Sequence, residues 1–304
     1  MKKWNLIVDV ALCENCRNCT LAAKDEHVGN DYPGYAAPAP ARGGDWIRIA
    51  RKVRGNAPLV DAAYLPTMCN HCDDAPCVKA GGGAVRKRDD GIVIIDPVES
   101  RGRRDLVDAC PYGAIVWNEE LELPQAWIFD AHLLDAGWRE PRCAQACPTG
   151  ALRAVRQDDE AMLAQTRAEG LRVLRPELGT KPRVYYRNLH RFDKCFIGGS
   201  LVADVDGVAE CAAGVRVALW KDARQVGQTV SDVFGDFKFD GLEPDGGGYR
   251  IEASHPAYGV ATVRCDLRDS VVLGAIRLAP GAAMSAKPAS PGVVRAVQAR
   301  PGGE

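Results

Sequence analysis

Nothing in these 304 residues approaches the ~18 unbroken apolar positions that a membrane-spanning helix requires. Charge of one sign is missing too. The formal net charge is −1, from 39 basic and 40 acidic residues, which removes the electrostatic case for nucleic acid or an anionic membrane surface as partner. Short basic clusters such as Arg101–Arg104 read as solvated faces. The opening segment, MKKWNLIVDVALC, carries two lysines, but its apolar run is broken at Asp9. It has no long apolar h-region, no small-residue cleavage site and no twin arginine. We read it as a first β-strand entering a loop, and expect a cytoplasmic location unless a partner subunit carries an export signal. No nucleophile motif, phosphate loop or catalytic metal pattern is present, which argues against a stand-alone enzyme. The apolar (46%) and charged (26%) fractions are those of an ordinary soluble globular chain.

What is present in excess is cysteine. There are 12, and most precede residue 150. Clustered cysteines in a reducing compartment point to metal rather than disulfides. Four segments stand out. CENCRNC supplies Cys13, Cys16 and Cys19. CNHCDDAPC supplies Cys69, Cys72 and Cys77. Two Cys-Pro-x-Gly-Ala segments, CPYGAI at Cys110 and CPTGAL at Cys147, echo each other, and Cys143 precedes the second. Three cysteines on a tight loop can hold three irons of a cubane, and the fourth iron takes a thiolate from a distant Cys-Pro. A bacterial ferredoxin run would place a fourth cysteine four positions after Cys19, but that residue is Ala23. Either CxxC could open a zinc site, but zinc usually takes pairs, and these are triplets with Cys-Pro partners.

The chain divides by pattern. Residues 1–180 are loop-rich with short strand-like pieces, the clearest being WIRIARKV (Trp46–Val53) and GIVIIDP (Gly91–Pro97). A helix is expected over about 157–171, with Met162, Leu163 and Leu171 on its apolar face. Residues 181–279 alternate apolar and polar at period two between Gly-rich turns, which predicts a small antiparallel β-sandwich or barrel of about seven strands. Residues 280–304 are rich in Ala, Pro, Gly and Ser and read as a disordered tail. The expected class is α+β, a double ferredoxin-like iron–sulfur domain followed by the β unit. Cys195, Cys211 and Cys265 lack ligand spacing and are expected to be small core residues. Trp220 and Phe234 are expected at the core or an edge, and no aromatic platform suggests carbohydrate binding.

CNHCDDAPC and CPTGAL, in that order and spacing, resemble the four-cluster iron–sulfur subunit of the molybdopterin oxidoreductases of the dimethyl-sulfoxide-reductase family. The resemblance covers residues 1 to about 155. In that family runs one and four share two 4Fe–4S clusters, and runs two and three share two more. Carried over residue by residue, this implies one complete site of Cys13, Cys16, Cys19 and Cys147 (cluster A), and a second of Cys69, Cys72, Cys77 and Cys110 (cluster B). A third site would fall on Ala23, Trp127, Asp130 and Cys143, and a fourth on Gly81, Ser100, Arg103 and Leu106. The losses are whole: two sites intact, two given up. Cys143 then reads as a buried free thiol. His71, between two ligands, reads either as a tuner of its cluster through hydrogen bonding or charge or as a surface loop residue. His132 reads as structural.

YPGYAA, DGIVIIDP, CPYGAIVWNEE, AHLLD and PELGTKPRVYY, with the β unit behind them, look like the transhydroxylase-type small subunits, whose added domain resembles Cna-B or carboxypeptidase-regulatory sandwiches. That resemblance implies a large catalytic partner carrying molybdenum and pterin, and hydroxyl transfer between polyphenols. The two intact sites correspond to the ends of the family's line of clusters. Tunnelling falls steeply with distance, so the wire is expected to be interrupted. Cluster A would lie nearest the molybdenum, and cluster B would be mainly a structural staple. The competing readings are a mainly structural or assembly subunit, and the electron-transfer subunit of a different molybdopterin reductase.

Overall fold

The computed structural model describes residues 1–279; the expected tail at 280–304 lies outside the described residues. The chain forms two units. The first comprises 1–55 and 60–195, the second 56–59 and 196 onward. No helix among the described residues is long and apolar enough to cross a membrane.

The first unit is organised by its opening segment. Strand β1 (Lys3–Asp9) is the centre of a three-stranded sheet. It pairs antiparallel with β8 (Leu152–Gln157) and parallel with β9 (Val184–Arg187). A central strand is covered on both faces, and β1 accordingly reads as a nearly continuous apolar run. Trp4, Leu6 and Val8 enter the main core. Ile7 points the other way, onto Met162 and Leu171. The expected helix is α6 (Asp159–Glu169), capped by Asp158, whose carboxylate accepts from the Ala161 N–H at 2.9 Å, and closed by Gly170 in the left-handed region. Leu163, expected on its apolar face, is 51% exposed, because a 100° step per residue turns it off the stripe that Met162 occupies. Pairing of β9 with β1 also carries the first unit past the expected boundary at 180, to Cys195.

Between β1 and β8 the chain runs through short pieces. These are α1 (Asn18–His27), the hairpin of β2 (Arg48–Asn56) and β3 (Leu59–Thr67), α2 (Pro76–Gly81), the hairpin of β4 (Val85–Lys87) and β5 (Val93–Ile95), α3 (Asp105–Asp108), the hairpin of β6 (Val116–Asn118) and β7 (Leu123–Gln125), α4 (Ala131–Asp135) and α5 (Arg142–Gln145). The expected strands at Trp46–Val53 and Gly91–Pro97 are β2 and β5.

The second unit contains β10 (Cys195–Val205), β11 (Val208–Cys211), β12 (Arg216–Lys221), β13 (Arg224–Val230), β14 (Asp236–Leu242), β15 (Gly247–His255), β16 (Gly259–Leu267) and β17 (Val271–Arg277). They form two four-stranded sheets. One has the order β11-β10-β14, with β17 parallel to β10, and the other runs β13-β12-β15-β16. Val217 and Leu219 on β12, Phe237 and Phe239 on β14, and Tyr249, Ile251 and Ala253 on β15 alternate inward. The Phe239 ring lies against Gly227, so the sheets meet there. Gly235, at φ +79°, turns where any Cβ would strike the Leu201 carbonyl. Cys195 is buried as expected. Cys211 is exposed, because it ends the short strand β11, all of which is exposed; Phe234, at 69% exposure, sits on a turn and not in the core.

Candidate metal centre

The triplet loops owe their shape to left-handed residues that are not glycine. Asn15 (φ 57°) and Arg17 (φ 61°) lie between Cys13 and Cys19, and His71 (φ 45°) lies between Cys69 and Cys72. Asn and His tolerate this region better than most residues, and Arg17 is the costly one. The two Cys-Pro segments share one turn. Gly113 (φ 60°) donates to the Cys110 carbonyl at 2.9 Å, and Gly150 (φ 66°) donates to the Cys147 carbonyl at 3.2 Å. The sequence echo is therefore a backbone echo.

The fold brings the predicted cysteines together in two groups. Cys13, Cys16 and Cys19 come from the loop entering α1, and Cys147 from the end of α5, which packs against α1. Burial raises the Cys13 thiol, and the neighbouring thiols of Cys147 and Cys16 raise it further. Burial lifts Cys19 to about 11, with Cys13 and Cys147 adding to it. The second group closes a pocket. Cys69, Cys72, Cys77 and Cys110 line it with Val93, Ile95, Ile115, Ala126 and Ile128. Burial is again the main cause that raises Cys69, Cys72 and Cys77, the last to about 11, and the other thiols of the set reinforce it. Burial disfavours the free thiolates of Cys69, Cys72 and Cys77 in this apolar wall; a metal group that takes cysteines as thiolates fits the four-sulfur donor set. Among the described residues no three His, Cys, Asp or Glu side chains converge on a point that one ion could occupy.

The positions to which the resemblance assigns two further sites are filled. At the third, Ala23, Trp127 and Cys143 are buried in the main core, and Asp130 is wholly buried beside them. Trp127 stacks on Phe129 with centroids 4.7 Å apart. Asp130 pairs with His27 and accepts from the Arg142 N–H at 2.8 Å. Cys143 lies by Asp130 and the first group: burial first, then Asp130, Cys19 and Cys147, hold it well above the ordinary thiol value. Around it, Glu26 accepts from His132 (2.9 Å), Tyr32 (2.6 Å) and Arg142 (2.7 Å). His132 thus anchors this network. At the fourth site, a Cβ on Gly81 would come within 2.4 Å of the Val85 side chain, with Leu106 3.7 Å away. Leu106 and Ser100 are wholly buried there. Arg103 turns outward to Asp105 (2.7 Å) and to the Ala80 carbonyl (3.1 Å).

His71 is 1% exposed, so the surface reading of it does not hold. Its Nδ1 accepts from the Val93 N–H at 3.1 Å and lies 3.8 Å from Cys69 Sγ. Burial, and then the charge of Lys87, lower it to about 3, and the ring is neutral. Lys87 bonds the backbone carbonyls of His71 and Cys72, and Asp73 joins it to Arg183. Sequence reasoning did not single them out, because KRDD and PRVYY carry no spacing signal.

The 4Fe-4S dicluster domain model matches residues 60–157. Over 283 residues the chain is 42% identical to the pyrogallol hydroxytransferase small subunit of Pelobacter acidigallici, covering 91% of this chain and all of that one. It is 32% identical over 193 residues to a tetrathionate reductase subunit of Salmonella typhimurium, covering 62% of this chain and 73% of that one. It is 28% identical over 236 residues to the arsenate respiratory reductase iron-sulfur subunit of a Shewanella species, covering 60% of this chain and 95% of that one.

Proposed function

The chain belongs to the iron–sulfur electron-transfer subunits of the molybdopterin oxidoreductases, and from that membership we propose a two-cluster small subunit of a polyphenol transhydroxylase-like enzyme. The observation that carries the reading is the contrast between sites: two thiol quartets gathered from distant segments, and two former sites packed with Trp127, Asp130, Val85 and Leu106. Cys13, Cys16, Cys19 and Cys147 would hold cluster A, and Cys69, Cys72, Cys77 and Cys110 cluster B. Each 4Fe–4S cluster supplies a one-electron store when bound. The chain's own part is to fix the thiolates, exclude water with Val93, Ile95, Ile115 and Ile128, and hold neutral His71 against Cys69.

The partner is a large subunit carrying molybdenum and pterin, as the small-subunit name of the Pelobacter relative supports. The overall reaction moves a hydroxyl between polyphenols. The two four-stranded sheets support a Cna-B or carboxypeptidase-regulatory-like sandwich for the second unit. Iron and sulfide analysis with EPR of the reduced protein tests the cluster count. About eight irons are expected, four per cubane; about twelve or sixteen would overturn the assignment. Co-purification of a molybdenum-containing large subunit tests the partner.

The packing of Trp127 and Phe129 where the middle of the line would be favours a second reading, in which the wire is broken and cluster B mainly braces the fold. Fast electron exchange between the two clusters in the assembled complex would exclude it.

A further inference from the structure

The hairpin of β4 and β5 sets Lys87 opposite Val93. Val93 donates its N–H to His71, and Lys87 Nζ donates to the carbonyls of His71 (2.6 Å), Cys72 (3.0 Å) and Gly91 (2.7 Å). The same nitrogen lies 2.9 Å from the Asp73 carboxylate, and the side chain is 21% exposed. Every partner is an acceptor, so the amine is held as an ammonium. Two of those carbonyls belong to the loop that runs from Cys69 to Cys72. Behind Asp73 stands Arg183, its side chain 3% exposed, bonded to Asp73, to Asp159 (2.7 Å) and to Asn5 Oδ1 (3.0 Å). Lys3 reaches Asp159 at 2.8 Å. Three cations, Lys3, Lys87 and Arg183, thus face two carboxylates, Asp73 and Asp159. At Cys13, by contrast, the charged side chain that bears on the thiol is the Glu14 carboxylate.

Stitching a loop needs donors, not charge, and a largely buried ammonium costs desolvation that a neutral donor would avoid. A fixed positive charge beside an iron–sulfur cluster does what a neutral donor cannot: it stabilises the form carrying the extra electron. We infer that Lys87 sets the reduction potential of the cluster held by Cys69, Cys72, Cys77 and Cys110, raising it above the value a neutral side chain would leave, with Asp73 as the counter-charge that limits the effect. Lys87 is a positioning and tuning residue; it touches the ligand backbone and no reacting atom. The inference rests on the two-cluster reading above.

The test uses the full chain purified anaerobically with its clusters, titrated through graded reduction and followed by EPR. The signal lost in Cys110→Ala identifies the Cys69 cluster. If that variant loses no signal, the two-cluster reading fails and takes this inference with it. With the signal identified, Lys87→Gln lowers its midpoint and leaves the other signal in place, and Lys87→Arg restores it. Asp73→Asn moves the same midpoint upward, the opposite direction. An unchanged midpoint in Lys87→Gln overturns the inference. If Lys87→Gln sheds the cluster, Asp73→Asn decides: an upward shift supports the tuning role, and no shift or a downward one overturns it.

Discussion

His27 Nε2 lies 3.3 Å from Asp130 Oδ1, and both side chains are wholly buried. This pair stands where the family resemblance places a cluster. Asp130 takes its second bond from the Arg142 N–H, so the carboxylate is held from two sides. Asp130 itself is left-handed, at φ 48°, as is Phe129 at φ 58°. At the position that the resemblance gives to a ligand, the side chain is engaged in pairing instead.

That observation makes the third site restorable. Ala23→Cys, Trp127→Cys and Asp130→Cys, together with resident Cys143, would supply four thiols, and removal of the indole opens the space. Iron content is expected to rise from about eight to about twelve per chain, with an added EPR signal. Unchanged iron in a folded triple variant would show that this position never corresponded to a cluster.

The fourth site is closed differently. Gly81 has φ −75°, so alanine meets no backbone objection there, yet its Cβ would overlap Val85, which is 1% exposed and cannot give way. Gly81→Ala should destabilise the first unit by about 1–3 kcal/mol through overpacking. Adding Val85→Ala should recover part of that loss. Denaturant midpoints of the single and double variants check the sign, and a double variant weaker than the sum of the two singles would contradict the steric account.

Ligand removal should act one cluster at a time. Cys147→Ala is expected to lose about four irons and one EPR signal and to keep the other, and Cys110→Ala to do the reverse. Loss of both signals from either variant would mean that the two groups do not form separately.

Glu26 gives a pH signature. Its burial opposes ionisation, but hydrogen bonds from His132, Tyr32 and Arg142 prevail and hold it at about 2, below the ordinary 4.5. A folded value below the unfolded one contributes stability that is full above about pH 4.5 and fades as the pH falls toward 2. Glu26→Gln should therefore cost on the order of 1–3 kcal/mol at pH 7, and its unfolding curve should approach wild type as the solution is acidified. A gap that stays constant from neutrality to the acid limit would refute the linkage.

The cysteine groups that the fold brings together were legible because their information is local: a triplet at three-residue intervals, and a Cys-Pro followed by a glycine that adopts φ near +60°. The packing at the positions of the two further sites was not. Whether Gly81 leaves a gap or meets Val85 is decided by the turn after α2, and His27 gives no sign of Asp130, far along the chain, until both are folded. The boundary at 180 failed for a similar reason. VYYR alternates like the strands that follow it, but its pairing partner is β1, and period-two patterning carries no record of which sheet a strand joins. Lys87 was invisible because a lysine in a charged run is usually solvated, and only the β4–β5 register turns it onto the carbonyls of His71 and Cys72.

The central place of β1 has a consequence for the chain as it leaves the ribosome. Leu6 to Asp9 must wait for Val184 to Arg187 before the sheet is whole, and Cys19 must wait for Cys147. At ~5–20 residues per second, the first triplet is exposed for roughly 10–40 s before its last strand partner emerges. A nascent thiol triplet open for that long is vulnerable to oxidation and to the wrong metal. The thiols of Cys13, Cys16, Cys19 and Cys147 can therefore meet only once about half of the chain has been made.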